Sequence, residues 1–237
     1  NRPTDDSTDL NGKRIDAEGN IVDGETLYIT FPKNTDFTPR KFSGNTEFTF
    51  RADVCYAYQT LANTKMCILK DMINVRDSSV CKPTQSKSVF SSAAPVQVSN
   101  FRQSVIGKDK LSFSFDISLS GNSDIFQDKS DITPSSSFDS ACPGKPKDRR
   151  QVENKVKVKV ETIPPSDPIV TNIQCGGLDS KNVGVVTLVT GKRTLTCTAD
   201  LNTDRTDLEK VVEITLNYNV LDKKETKVLV KHLADIS

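Results

Sequence analysis

Six cysteines and a single histidine are the side chains whose chemistry most constrains this chain of 237 residues. Cys55, Cys67, Cys81, Cys142, Cys175 and Cys197 are widely separated, and no two form a Cys-x-x-Cys pair. Structural zinc is held by closely spaced Cys and His, so a metal centre is not indicated. An even number of scattered cysteines instead fits disulfides made in an oxidising compartment. His232, between Lys231 and Leu233, is the one imidazole available as a base and has the setting of a structural residue. Carboxylates are plentiful, but no pair is framed by a glycosidase-like motif, and Asp5-Asp6 falls in a polar leader. Gly176-Gly177 has neither the Lys-Ser/Thr nor the following helix of a phosphate loop. Tyr56 and Tyr58, beside Cys55, project on one face and fit sheet packing. Asp9, Asn11, Asp16, Asn20 and Asp23 loosely resemble a calcium loop without the EF-hand spacing, and solvated turns explain them better. No asparagine has Ser or Thr two places later, so N-glycan acceptors are absent. The expectation is a chain without catalytic residues, cofactor or metal, and not an enzyme.

The elements that position the cysteines read as strands. Thr26 to Phe31 alternates and stops at Pro32, Phe48, Phe50, Ala52 and Val54 share one parity, and Thr64 to Leu69 reads as the next strand. Residues 82–95 are rich in Ser, Lys, Ala and Pro and mark a boundary. After it come Val96, Val98 and, off the alternation, Phe101; then Leu111 to Leu119; then Val156, Val158 and Val160 between charged neighbours. Val185 to Val189 and Thr194 to Cys197 read as a hairpin about Thr190-Gly191-Lys192. A final hairpin is expected over residues 210–232, with Val212 to Tyr218 and Val228 to Val230 as its strands and Asp222-Lys223-Lys224-Glu225 as its turn. Residues 123–150 form a long Ser-, Asp-, Pro- and Lys-rich excursion with a basic cluster at 145–150. No convincing helix appears.

The organisation expected is therefore a polar extension over 1–25, a first β-sandwich module over 26–93 and a second over 94–237. Three cysteines fall in each module. Many connectivities are open, and the favoured arrangement joins Cys55 to Cys67, Cys175 to Cys197, and Cys81 to Cys142 as a clamp between modules. Lys plus Arg (32) balance Asp plus Glu (31), a net charge of +1, so nucleic acid is not implied as a partner. The chain begins at Asn1 and has no apolar run long enough for a signal or a membrane span, which leaves open a processed chain or a fragment with a membrane or cell-envelope anchor outside it.

The stretches Cys55-Tyr56-Ala57-Tyr58, Cys67, Ala94-Pro95-Val96-Gln97-Val98, 190–197 (TGKRTLTC) and 212–218 (VEITLNY) resemble cell-surface proteins of archaea that carry immunoglobulin-like sandwiches. The resemblance spans most of residues 26–232 and names no activity. By broader analogy the chain is similar to archaeal filament subunits whose β-sandwiches join by donating a strand, although its leader is more polar than a typical donor strand. The fold implied is all-β: two antiparallel, disulfide-bonded immunoglobulin-like sandwiches. The function expected is a structural subunit of an extracellular or cell-surface assembly (filament, tube or surface layer). It would bind copies of itself through sheet edges: the N-terminal segment, or the final strand from Thr226 to His232. The alternative is the ectodomain of a membrane-anchored adhesin or receptor, with loops 35–45 or 123–150 meeting a ligand.

Overall fold

The computed structural model describes residues 14–15, 21–28, 43–76, 79–128, 138–165 and 167–231. The protein is mostly β, in antiparallel sheets. A short pair, β1 (Arg14–Ile15) and β2 (Ile21–Val22), stands by itself. A six-stranded sheet contains β3 (Thr46–Ile68), β4 (Val89–Ser91), β7 (Asp124–Gln127), β8 (Lys155–Ile163), β10 (Val183–Thr187) and β12 (Leu208–Val230). Its order is β10-β8-β12-β3-β4, and β7 pairs with β12. A four-stranded sheet runs β5-β6-β11-β9, from β5 (Val96–Gly107), β6 (Lys110–Leu119), β11 (Lys192–Leu201) and β9 (Val170–Cys175). Two short helices, α1 (Phe138–Ala141) and α2 (Pro146–Val152), interrupt the excursion after β7, where no helix was expected.

The chain divides into two units. The larger holds 52–135 and 139–224; the smaller holds 1–51, 136–138 and 225–237. Within the larger, the two sheets share one core. Val156, Val158 and Val160 of β8 and Val212, Ile214, Leu216 and Tyr218 of β12 are buried with Leu111, Phe113, Phe115 and Ile117 of β6 and Leu195 and Cys197 of β11. Alternation aims every second side chain inward. Phe101 follows Val98 three places on because Asn100 takes a positive φ of 55° and the β5–β6 register slips between Ser99 and Arg102. That bulge returns Phe101 to the core, stacked on Phe113.

Polar groups also tie the sheets together. Thr60 Oγ1 donates to the Val96 carbonyl at 2.8 Å, the Val96 N–H donates to the Tyr218 hydroxyl at 3.1 Å, and the two hydroxyls lie 3.0 Å apart. With its own proton on Val96, Thr60 accepts from Tyr218, and the ring closes. Gln103 of β5 lies against Cys67 of β3 as a strand would, accepting from its N–H at 2.9 Å and donating to its carbonyl at 2.6 Å.

Three expectations are corrected. Strands on either side of the expected boundary at 82–95 share a sheet: β3 and β4 belong with β8, β10 and β12 rather than with a separate module 26–93. The Ser- and Pro-rich composition there marks the passage from one sheet to the other. The expected final hairpin is one 23-residue strand, β12. Asp-Lys-Lys-Glu supplies no Gly, Asn or Pro for a tight turn, and Val212 to Val220 and Val228 to Val230 keep one parity, as an unbroken strand requires. The hairpin at Thr190-Gly191 does turn, with positive φ at both residues, but only Val189 and Lys192 pair across it. β10 then stays in one sheet and β11 enters the other. The strand expected over Thr26 to Phe31 lies partly outside the described residues; 26–28 are irregular and exposed.

One buried charge locks the loops at one end of the core. Arg205, whose side chain is 1% exposed, donates to the carbonyls of Leu69, Lys70, Lys108 and Asn202 and to Asp109 Oδ1. All five guanidinium N–H groups thus have an acceptor, drawn from the end of β3, the β5–β6 turn and the β11–β12 connection. Arg205→Ala strands several of these acceptors and should lower the unfolding free energy by about 3 kcal/mol or more. Arg205→Lys should recover only part of that loss in denaturant titrations, because an ammonium has three donors.

Candidate assembly interface

The six cysteines form three disulfides, and two pairs differ from expectation. Cys175 bonds Cys197, as expected, and the two are directly opposed on β9 and β11. Cys67 bonds Cys81, and Cys55 bonds Cys142. The expected Cys55–Cys67 bond is ruled out by the strand itself. Both lie on β3, where twelve residues of extended chain span about 40 Å, far beyond the reach of a disulfide. The expected clamp Cys81–Cys142 is replaced by a loop closed on β3 at Cys81 and by an anchor for the α1–α2 excursion at Cys142.

That excursion covers the face of β12 turned away from the core. Ile125 of β7 enters the core opposite Val220, while Phe126, opposite Asn219, points the other way and is buried outside it. The Arg149 guanidinium of α2 lies 5.2 Å from the Phe126 ring centre and pairs with Asp124 and Glu153, each at 2.9 Å. The basic cluster at 145–150 is therefore partly committed to internal ion pairs. Burial pushes the Asp124 carboxyl upward, but hydrogen bonds from Lys223 (2.5 Å) and Arg149 outweigh it and hold the group below its ordinary range.

β3 and β12 are neighbours in the six-stranded sheet. In the larger unit, Lys65 pairs with Glu209, Gln59 donates to Asn217, Thr60 meets Tyr218, and Tyr56 donates to Asp222 at 2.7 Å. Tyr58 stacks on Tyr218 and meets Tyr56 edge to face. Burial and the Asp222 carboxylate push the Tyr56 hydroxyl well above its ordinary pKa. In the smaller unit, Lys227 pairs with Glu47 at 2.8 Å. Core burial covers only part of these strands. Residues 222–229 of β12 are exposed on both faces, and on β3 every residue from 49 to 54 is exposed. Phe50 and Val54 are each 53% exposed and Leu229 is 54% exposed.

Several sheet edges among the described residues are short or irregular. β4 has three residues. β5 slips register twice, and β9 carries Asn172 at positive φ beside a slip in its pairing with β11. The start of β10 is covered by loop 178–182: Ser180 bonds Val183, Asp179 accepts the Val185 N–H, and a Cβ on Gly184 would collide with Leu178 and Asp179. Such features discourage edge-to-edge pairing. Along 222–230, by contrast, there is no Gly, Pro or positive φ, and among the described residues no strand pairs with the edge away from β3.

A cleft of about 570 Å³ lies between the end of β8, the loop through Pro165 and Pro168, and β9. Much of its polar lining is spent on the protein's own groups. Asp167 is bonded to Lys210 and to the N–H groups of Ile169 and Val170, Asn182 to the Val160 carbonyl, and Asn172 to Asp200 and Gln174. Gly176-Gly177 forms the turn after β9. His232, Asp5-Asp6, Asp9, Asn11, Asp16 and Asn20 lie outside the described residues, and Asp23 is exposed. Among the described residues no group of three His, Cys, Asp or Glu could hold a metal ion, and no helix is long and apolar enough to cross a membrane.

These features define a mostly-β, disulfide-linked protein of two antiparallel core sheets, with exposed strand residues at 49–54 and 222–229. Comparison with family models, curated proteins and solved structures gives no match.

Two outcomes are expected. Peptide mapping without reduction should recover Cys55–Cys142, Cys67–Cys81 and Cys175–Cys197; a Cys55–Cys67 peptide would contradict the continuous β3. Because the folded-state pKa of Asp124 is depressed, its stabilising contribution is present above the ordinary carboxylate pKa and is lost as pH falls below about 4. Asp124→Asn should therefore lower stability at neutral pH and flatten the acid limb of the stability profile, read from denaturant midpoints across pH.

Proposed function

We propose that this chain is a non-enzymatic structural subunit of an extracellular or cell-surface assembly, with an immunoglobulin-like sandwich as its body and β-edge contacts joining it to copies of itself. One observation carries this reading: strand residues 49–54 of β3 and 222–229 of β12 are exposed. Exposed strand is a surface with which another chain can pair. The three disulfides support an oxidising setting, and the resemblance to archaeal cell-surface sandwiches belongs to the same proposal.

Electron microscopy of the oxidised chain tests it. Filaments, tubes or sheets with a regular subunit repeat are the expected result. A monodisperse monomer by light scattering across the accessible concentration range would overturn the reading.

A further inference from the structure

We propose that Lys210 and Asp167 join in an amide bond, a cross-link that the folded chain makes from its own side chains. The bond forms within one chain, and so stands apart from the assembly reading.

Asp167 sits in the connection that leaves β8 at Ile163 and enters β9 at Val170, where the chain passes from one core sheet to the other. Lys210 lies near the start of β12, just before Val211, which pairs with Ile163. It shares the parity of Val212, Ile214, Leu216 and Tyr218, so its side chain turns to the core side of the sheet. The two side chains are in direct contact, Nζ against Oδ2, and are only 13% and 4% exposed. Arg205 is as deeply buried, but its partner Asp109 reaches water.

The two oxygens of Asp167 have different surroundings. Oδ1 accepts the N–H groups of Ile169 at 2.6 Å and Val170 at 3.3 Å, while Oδ2 faces the amine. Burial pushes the Asp167 carboxyl up, but the bonds from Lys210, Ile169 and Val170 outweigh it and hold the group below its ordinary range. The charged pair is therefore the major form. Passage of one proton from Nζ to Oδ2 gives the neutral amine and acid, which burial favours and which are the reactive forms. A bond made once per molecule tolerates a minor reactive form.

Nζ then attacks Cγ. Negative charge gathers on Oδ1, where two N–H groups already point, as donors do in an oxyanion hole. The Cγ–Oδ2 bond breaks, Oδ2 takes a second proton from the nitrogen, and water departs. Ammonium and carboxylate thus become amide and water, with no oxidant or activated donor required. Bulk water opposes such a condensation, but the fold holds the amine against the carboxyl at the high effective molarity of an intramolecular pair. The cleft that Asp167 lines gives the released water an exit. None of the three disulfides ties the β8–β9 connection to β12, and the amide would do so.

The intact mass of the full chain, with its disulfides reduced, tests the linkage. The expected mass is one water below that of the sequence. Tandem spectra of a tryptic digest should show the peptide containing Asp167 joined to one left uncut after Lys210. Lys210→Arg keeps a cation beside Asp167 but no amine able to condense, so it should regain the full sequence mass. Full sequence mass in the folded parent chain overturns the proposal and leaves an ion pair only. A lost water that maps to other residues, or that persists in Lys210→Arg, overturns it too. If Lys210→Arg does not fold, the mass and linked peptide of the parent chain decide alone. Filaments at full sequence mass would count against the linkage and not against assembly; linked chains that stay monomeric would do the reverse.

Discussion

The pairing of β3 with β12 is the constraint on which the rest of the larger unit depends. These two 23-residue strands occupy the middle of the six-stranded sheet, with β8 and β7 on one side and β4 on the other. Tyr218 supplies the hydroxyl that closes the ring with Thr60 and Val96, and Cys67 supplies the backbone that Gln103 grips, so both polar links to the second sheet start from this pair. Cys55 and Cys67, at separate points along β3, hold to it the α1–α2 excursion and the loop through Cys81. Were either strand to turn back, the links and the disulfides would lose their partners together.

Much of this was legible in the sequence, and what was not has a physical cause. β6 and β8 are plain because aliphatic or aromatic residues alternate there with polar ones. The continuity of β3 is hidden because its inward residues at 60, 62 and 64 are Thr, Ala and Thr. Side chains this small or hydroxylated look like loop, yet they are buried, since Thr60 is needed for the hydroxyl ring and the space is taken by Tyr218. The continuity of β12 is hidden for the opposite reason. Its polar run from Asp222 to Lys227 reads as a turn, whereas the strand continues through it with every one of these residues exposed. Parity was the better guide than polarity: the valines before and after that run fall on the same side.

The same error propagated to the cysteines. Once β3 is split, Cys55 and Cys67 become neighbours and a local bridge looks natural; once it is whole, they lie too far apart and each must find a distant partner. Cys175–Cys197 agrees with expectation because the two residues lie directly opposite each other on β9 and β11, strands that do pair. Arg205 gave no signal of its burial, since an arginine in a polar connection looks solvated until its carbonyl acceptors come together around it.

A distance along β3 tests the account most directly. Spin labels at positions 53 and 65, both exposed and both in the larger unit, are separated by twelve residues of one strand. Pulsed dipolar spectroscopy should return a single separation near 40 Å, the length of that extended segment. A separation under about 15 Å, the spacing of neighbouring strands plus label linkers, would mean that the chain folds back between Cys55 and Cys67. That result would contradict the continuous ladder and the arrangement of disulfides that follows from it.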